Sequence, residues 1–234
     1  MTETRHAGFA VSVDALLQQW ARREDAPSGS AYVVSTEISG RLRGGVEWRH
    51  ENSISVGVLA RPRALEPSEI ELGWLAASLG AASALSQVTG VRYECGWPDR
   101  IDPSTGAGTG PSAFEVAVSS VGHLGPGRID HIVMIVRIAA PAQTGPLTEI
   151  APHVVEQVRI AGRLLDEPGQ LLDRYRETCS TLGRRVSLTL LPHGSVRGRA
   201  RDVDHAGSLM LESPTGLVES VAVAMLGRLD VIDA

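Results

Sequence analysis

The chain contains no lysine, so all 22 of its basic side chains are arginines. Arginine stays charged and presents a rigid planar fork, whereas lysine is a compact point charge on a flexible stem. Chemistry that depends on a lysine has no group here to supply it. A GC-rich genome, which favours arginine codons, is an alternative origin of the absence, and the chemical consequence is the same. Cysteine is nearly as scarce: Cys95 and Cys179 lie far apart, show no metal-ligand spacing and read as unpaired core thiols. Positive charge is not in excess, and a net charge of -5 provides no basic field for nucleic acid. No apolar run approaches the roughly 18 residues needed to span a bilayer. Residues 1–10 carry Arg5 and His6 but neither an apolar stretch nor a small-residue cleavage site, so no signal peptide is read. A cytoplasmic location, with no nucleic-acid and no membrane partner, is the resulting expectation.

What is present suits a soluble globular protein. With 234 residues, 43% of them hydrophobic and 21% charged, the chain can bury a substantial core in one domain plus a small appendage. Val11, Leu16, Leu17 and Trp20 follow a helical period over 11–23, with Ser12 or Asp14 able to cap. Segments 31–35 and 52–59 read as strands on either side of a Gly- and Arg-rich loop. A long alanine-rich helix is expected to Val88, opening at Pro67-Ser68 with Ser68 as cap and Glu71 completing a capping box. Gly90 ends it. A short strand, 91–95, stops at Gly96-Trp97-Pro98-Asp99-Arg100, and 102–112 is a Gly/Pro/Ser/Thr-rich loop. Strands at 114–121 and 131–139 are joined by 122–130, with Gly125-Pro126-Gly127 as the turn. Helices at 154–165 and from Gln170 to about Thr181 follow, and the simplest architecture is a sheet with helices on one side. Beyond Gly183 the texture changes to short alternating segments, 185–191, 196–202, 208–212 and 217–225, separated by turn residues, as in a small all-β domain. The boundary falls near residue 182, giving domains 1–181 and 182–234.

Candidate chemistry is sparse. Asp99 and Asp102 read as exposed loop carboxylates rather than a metal pair, and no metal site is expected. His123, His131, His193 and His205 have no ligand spacing and read as turn or strand-edge residues. Cys179 sits on a helix that should pack against the C-terminal strands, which favours a buried thiol over a nucleophile.

Three stretches nevertheless form a pattern. The C-terminal third carries Tyr175-Arg176-Glu177-Thr178-Cys179-Ser180-Thr181-Leu182-Gly183-Arg184, then Gly198-Arg199-Ala200-Arg201-Asp202-Val203-Asp204, then Gly207-Ser208-Leu209. The loop reads Gly40-Arg41-Leu42-Arg43-Gly44-Gly45-Val46-Glu47-Trp48, and the strand end reads Gly96-Trp97-Pro98-Asp99-Arg100. In this order they resemble the biotin protein ligases of the biotin/lipoate ligase superfamily, over nearly the whole chain except the residues before Ala7. No DNA-binding winged-helix segment is read ahead of the domain. The resemblance implies an α+β fold: a class II synthetase-like domain with a mixed sheet flanked by helices, followed by a small SH3-like β-barrel.

It also implies ligand-binding positions and shows where chemistry is missing. The family's loop, GRGRxGRxW, keeps Arg41, Arg43, Gly45 and Trp48, but its second glycine is Leu42 and its third arginine is Val46. The family's KWPND keeps Trp97 and Pro98, while its lysine is Gly96 and its Asn-Asp is Asp99-Arg100. A further lysine has no counterpart around Ala117-Val118-Ser119. The Gly-Ile-Asn strand end becomes Arg137-Ile138-Ala139, where Arg137 would either fill the cleft or offer it an anionic anchor. Adenylation presses a carboxylate against the ATP α-phosphate and relies on fixed positive charge, and each well-placed donor lost costs ~100- to 1,000-fold. No catalytic residue is assigned, and biotin and ATP with magnesium are implied as ligands only if ligation survives. The reading favoured is a silent ligase-fold protein that binds a small carboxylate or acyl ligand, or a biotin carboxyl carrier-type domain. The alternatives are an active ligase using arginines such as Arg92, Arg100 or Arg137, and a non-catalytic assembly module. A homodimer is implied by the resemblance alone.

Overall fold

The computed structural model describes residues 2–104, 114–141 and 147–232. Most of the loop expected at 102–112 therefore lies outside the described residues. In chain order the elements are β1 (Thr4–Ala10), α1 (Val13–Arg23), β2 (Ala31–Glu37), β3 (Gly40–Arg41), β4 (Glu47–Trp48), β5 (Ser53–Ala60) and α2 (Leu72–Thr89). There follow β6 (Tyr93–Gly96), β7 (Arg100–Pro103), β8 (Glu115–Gly125), β9 (Arg128–Ala139), α3 (Ala151–Arg163) and α4 (Pro168–Thr178). The C-terminal part comprises β10 (Arg185–Leu190), β11 (Ser195–Val203), β12 (Leu209–Glu212), β13 (Val218–Val221) and β14 (Leu226–Val231).

The first sheet has the order β1-β2-β5-β9-β8 and is mixed, because β1 runs parallel to β2 while the other pairs are antiparallel. Alternation along β9 sends its residues to two separate cores. Val133 and Ile135 meet Val13, Leu17 and Trp20 of α1 on one face. Ile132, Met134 and Val136 meet α2 and α3 on the other. Helices thus cover both faces, not the single face expected, and the reason is that all of β9 is apolar from Ile132 to Val136. Helix α2 is buried on nearly every side, as its run of Ala and Leu requires.

Several local expectations change. The α1 cap is Ser12, whose side chain accepts from the Ala15 N–H. The capping box ahead of α2 is formed by Glu66 and Glu69, and a short 3-10 turn (Pro67–Glu69) precedes the helix, so Ser68 caps nothing. Glu71 instead accepts from the Val223 and Ala224 N–H groups, pinning the C-terminal part to the head of α2. The expected 122–130 connection is mostly strand, because β8 and β9 continue pairing as far as Gly125 and Arg128.

The second sheet, β13-β12-β11-β10-β14, is wholly antiparallel. Its two edge strands form no ladder with each other among the described residues, so the pairing is that of an open sheet. Its apolar face, with Val186, Leu188, Ala200 and Leu209, joins the core of α2 and α4. No helix among the described residues is long and apolar enough to cross a membrane.

Candidate functional site

The 40–48 loop folds as a small hairpin in which β3 pairs with β4, Gly40 opposite Trp48. Gly44 and Gly45 both have left-handed backbone, with φ of 72° and 77°, which is why glycine stands at those two positions. Trp48 is buried beneath the hairpin and packs on the His50 ring at 4.2 Å. Above it the loop forms one wall of a cleft of about 400 Å³. Arg41, Leu42 and Arg43 face Trp74 of α2, and Ser119, Val121, Ile135 and Arg137 come from β8 and β9. Val11, Ser12 and Asp14 close the end at the head of α1.

The three arginines expected to meet a ligand are held in three different ways. Arg41 is exposed and has no hydrogen-bond or ion-pair partner among the described residues. Arg43 donates from Nε to Asp99 Oδ2 at 2.8 Å, and from Nη1 to the Leu226 carbonyl and to the Gly227 carbonyl at 3.1 Å. It therefore clamps the loop, the strand-end turn and β14 together. Arg137 is buried, with its side chain 1% exposed, and grips a Glu37 side chain that is equally buried. Nε donates to Oε2 at 2.6 Å, Nη2 to Oε1 at 3.0 Å, and Nη1 to Ser119 Oγ at 2.8 Å. Burial pushes the Glu37 carboxyl up, but Arg137, the Val13 N–H and Ser55 outweigh it and hold the group below the ordinary glutamate range.

Asp99 is not an exposed loop carboxylate: only 17% of its side chain is exposed, and Arg43 occupies it. Arg137 lines the cleft, and Glu37 takes up its fork. Trp97 and Pro98 are both buried at the strand end. Trp97 is fully buried, its Nε1 donating to the Gly207 carbonyl at 2.9 Å, while the Pro98 carbonyl accepts from Ser78 at 2.8 Å. A Cβ at Gly96 would stand 3.0 Å from Arg100 Cβ, a contact tight enough that Arg100 would have to give way slightly. Arg92 and Arg100 point to their own near neighbours, Glu94 and Asp102, at 3.7 and 2.7 Å.

Away from the cleft, the two cysteines are brought side by side by a parallel bridge, both buried and free. Burial pushes the Cys95 thiol up to about 12, as befits inert core thiols. His131 is a buried residue, not a strand-edge one, and stacks on His123 at 4.4 Å. Among the described residues no group of three or more His, Cys, Asp or Glu side chains is placed to hold a metal ion.

A family model described as the biotin protein ligase C-terminal domain matches residues 181–224. A search of curated proteins returned no match. Among solved structures, the Aquifex aeolicus biotin protein ligase in complex with biotin and ATP superposes with a TM-score of 0.69. The alignment covers 99% of this chain and all of that one, at 16% identity. The fold is that of the biotin protein ligases. The Helicobacter pylori biotin acetyl coenzyme A carboxylase synthetase with bound biotinylated ATP gives 0.64 at 12% identity, covering 94% of this chain and 100% of its own. The Leishmania major biotin protein ligase in complex with biotinyl-5-AMP gives 0.54 at 13%, covering 94% and 98%. Within this biotin protein ligase fold, Arg41, Arg43, Arg137 and Asp14 line the cleft, and of its guanidiniums Arg43 is paired with Asp99 and Arg137 with Glu37. Glu37 was missed in the sequence, and the one hint of it was the charge itself at the end of an apolar strand.

Proposed function

We propose that this chain binds a small carboxylate-bearing acyl compound in the cleft, or the carrier-type domain that bears one, with adenylation lost or strongly altered. Residues 1–181 would supply the cleft and residues 182–234 a second domain clamped to it through Arg43. The observation that carries this reading is the internal neutralisation of the cleft. Arg43 and Arg137 are each matched by a carboxylate of the chain, and Gly96 adds no charge, which leaves Arg41 as the one unmatched guanidinium among the described cleft residues. An acyl-adenylate needs several fixed cations around the α-phosphate as charge develops, and one exposed side chain that must be ordered first does not substitute for them. A single carboxylate is a lighter demand, and the apolar wall of Trp74, Val121 and Ile135 suits an acyl body. The fold's solved relatives hold biotin, ATP and adenylated biotin, which makes biotin the first ligand to try.

The test is calorimetric titration with biotin and, separately, with ATP plus magnesium, followed by a pyrophosphate-release assay with a biotin carrier domain. Binding of biotin without ATP binding or pyrophosphate release is the expected result. Release of pyrophosphate on the carrier would make this an arginine-based ligase and overturn the reading.

A further inference from the structure

The surroundings of Glu37 are those a protein normally builds for a bound carboxylate. Each of its oxygens accepts two hydrogen bonds. Oε1 takes the Val13 N–H at 2.9 Å and Arg137 Nη2 at 3.0 Å, and Oε2 takes Ser55 Oγ at 2.7 Å and Arg137 Nε at 2.6 Å. A bidentate guanidinium, a hydroxyl and a backbone N–H in the first turn of an 11-residue helix together form a carboxylate receptor. The loop makes room for it. A Cβ on Gly40 would stand 2.7 Å from Glu37 Oε2 and 3.1 Å from Arg137 Nε, so any side chain there would displace the carboxylate. Arg137 also lines the cleft, so the receptor lies directly under its floor.

We infer that this cluster is a carboxylate-binding subsite filled by the chain's own Glu37, so that a ligand of the cleft meets its charged end at Arg41 on the rim. Its acyl body then turns inward against Trp74, Val121 and Ile135. The second half of this inference rests on the proposed function; the first half stands without it. Glu37 is thus a built-in occupant that denies Arg137 to any incoming carboxylate, and the same acid keeps the floor neutral.

The test is chemical rescue of Glu37→Ala, which deletes the occupant and leaves its receptor. Acetate at tenfold its Kd should raise the Tm of the variant by about 3–6 °C, while acetamide or chloride at equal concentration does not and the wild type does not respond. If Glu37→Ala is unfolded, recovery of folded protein on refolding in acetate is the readout. The double variant Glu37→Ala/Arg137→Met, which removes the receptor's charge as well, should fold and ignore acetate. The idea is overturned if acetate shifts variant and wild type alike, or if it fails to recover Glu37→Ala while the double variant folds. None of these outcomes depends on biotin, so failure here is distinguishable from failure of the ligand assignment.

Discussion

Arg137 on the floor of the cleft and Arg41 on its rim line the same space under opposite conditions. Arg137 is sequestered from water and spends three donor contacts on Glu37 and Ser119, so its charge is compensated before any ligand arrives. Arg41 sits in water on a glycine-hinged loop with no partner among the described residues. Arg43, two positions on, is intermediate: partly buried, compensated by Asp99, and committed to holding β14. The contrast teaches that counting arginines overstates the positive field of this cleft. A guanidinium serves a ligand only where the chain has not already supplied the anion.

That contrast can be broken most severely at the floor. Arg137→Ala leaves a buried carboxylate without its cation and should cost about 3–5 kcal/mol in urea unfolding. Replacing both partners by apolar residues should cost far less, because the desolvated charge goes with its counter-ion. Arg43→Ala comes next. It removes charged hydrogen bonds to Asp99 and to the β14 backbone and should cost about 1.5–3 kcal/mol, with faster amide exchange in residues 226–231 as the local signature. Arg41→Ala should change stability by no more than about 0.5 kcal/mol while weakening ligand binding.

Acid titration sharpens the same comparison through smaller effects. The folded pKa of Glu37 is depressed, so its contribution is complete above the unfolded value of about 4.3 and is lost as pH falls through the folded one. Glu37→Gln should flatten that limb of a pH–stability curve. His123 gives an earlier limb. Burial first, then the neighbouring His131 and Arg22, lower its pKa against the opposing pull of Asp130 and Asp14. The folded state thus resists protonating it, and stability present above about 6.5 should begin to fall below that pH. His123→Gln should remove this early loss, read by thermal unfolding between pH 7 and 5.

The legibility of the molecule followed the range of the interactions. The 40–48 loop could be read because its glycines, arginines and tryptophan are local, and the alternating C-terminal strands were read for the same reason. Strand β1 escaped because it is an edge strand with one buried residue and little apolar periodicity in Thr-Arg-His-Ala-Gly-Phe-Ala. Strand β14 escaped because its Gly and Arg interrupt a short run. The site residue that matters most, Glu37, was out of reach for a different reason. Its partner lies 100 residues away on β9, and nothing at position 37 announces that β2 and β9 end on either side of β5. Arg137 was noticed for where it stands, but its role depends on an acid that only the fold brings to it.

The most direct measurement is calorimetric titration of biotin into wild-type and Arg41→Ala protein under identical buffer and salt. If Arg41 is the one uncompensated cation among the described cleft residues, the wild type should bind and the variant should bind roughly tenfold or more weakly, since a charged hydrogen bond is lost. Equal affinity in the two proteins would contradict it, and would mean that the ligand's charge is met by Arg43 or Arg137 despite their own carboxylates.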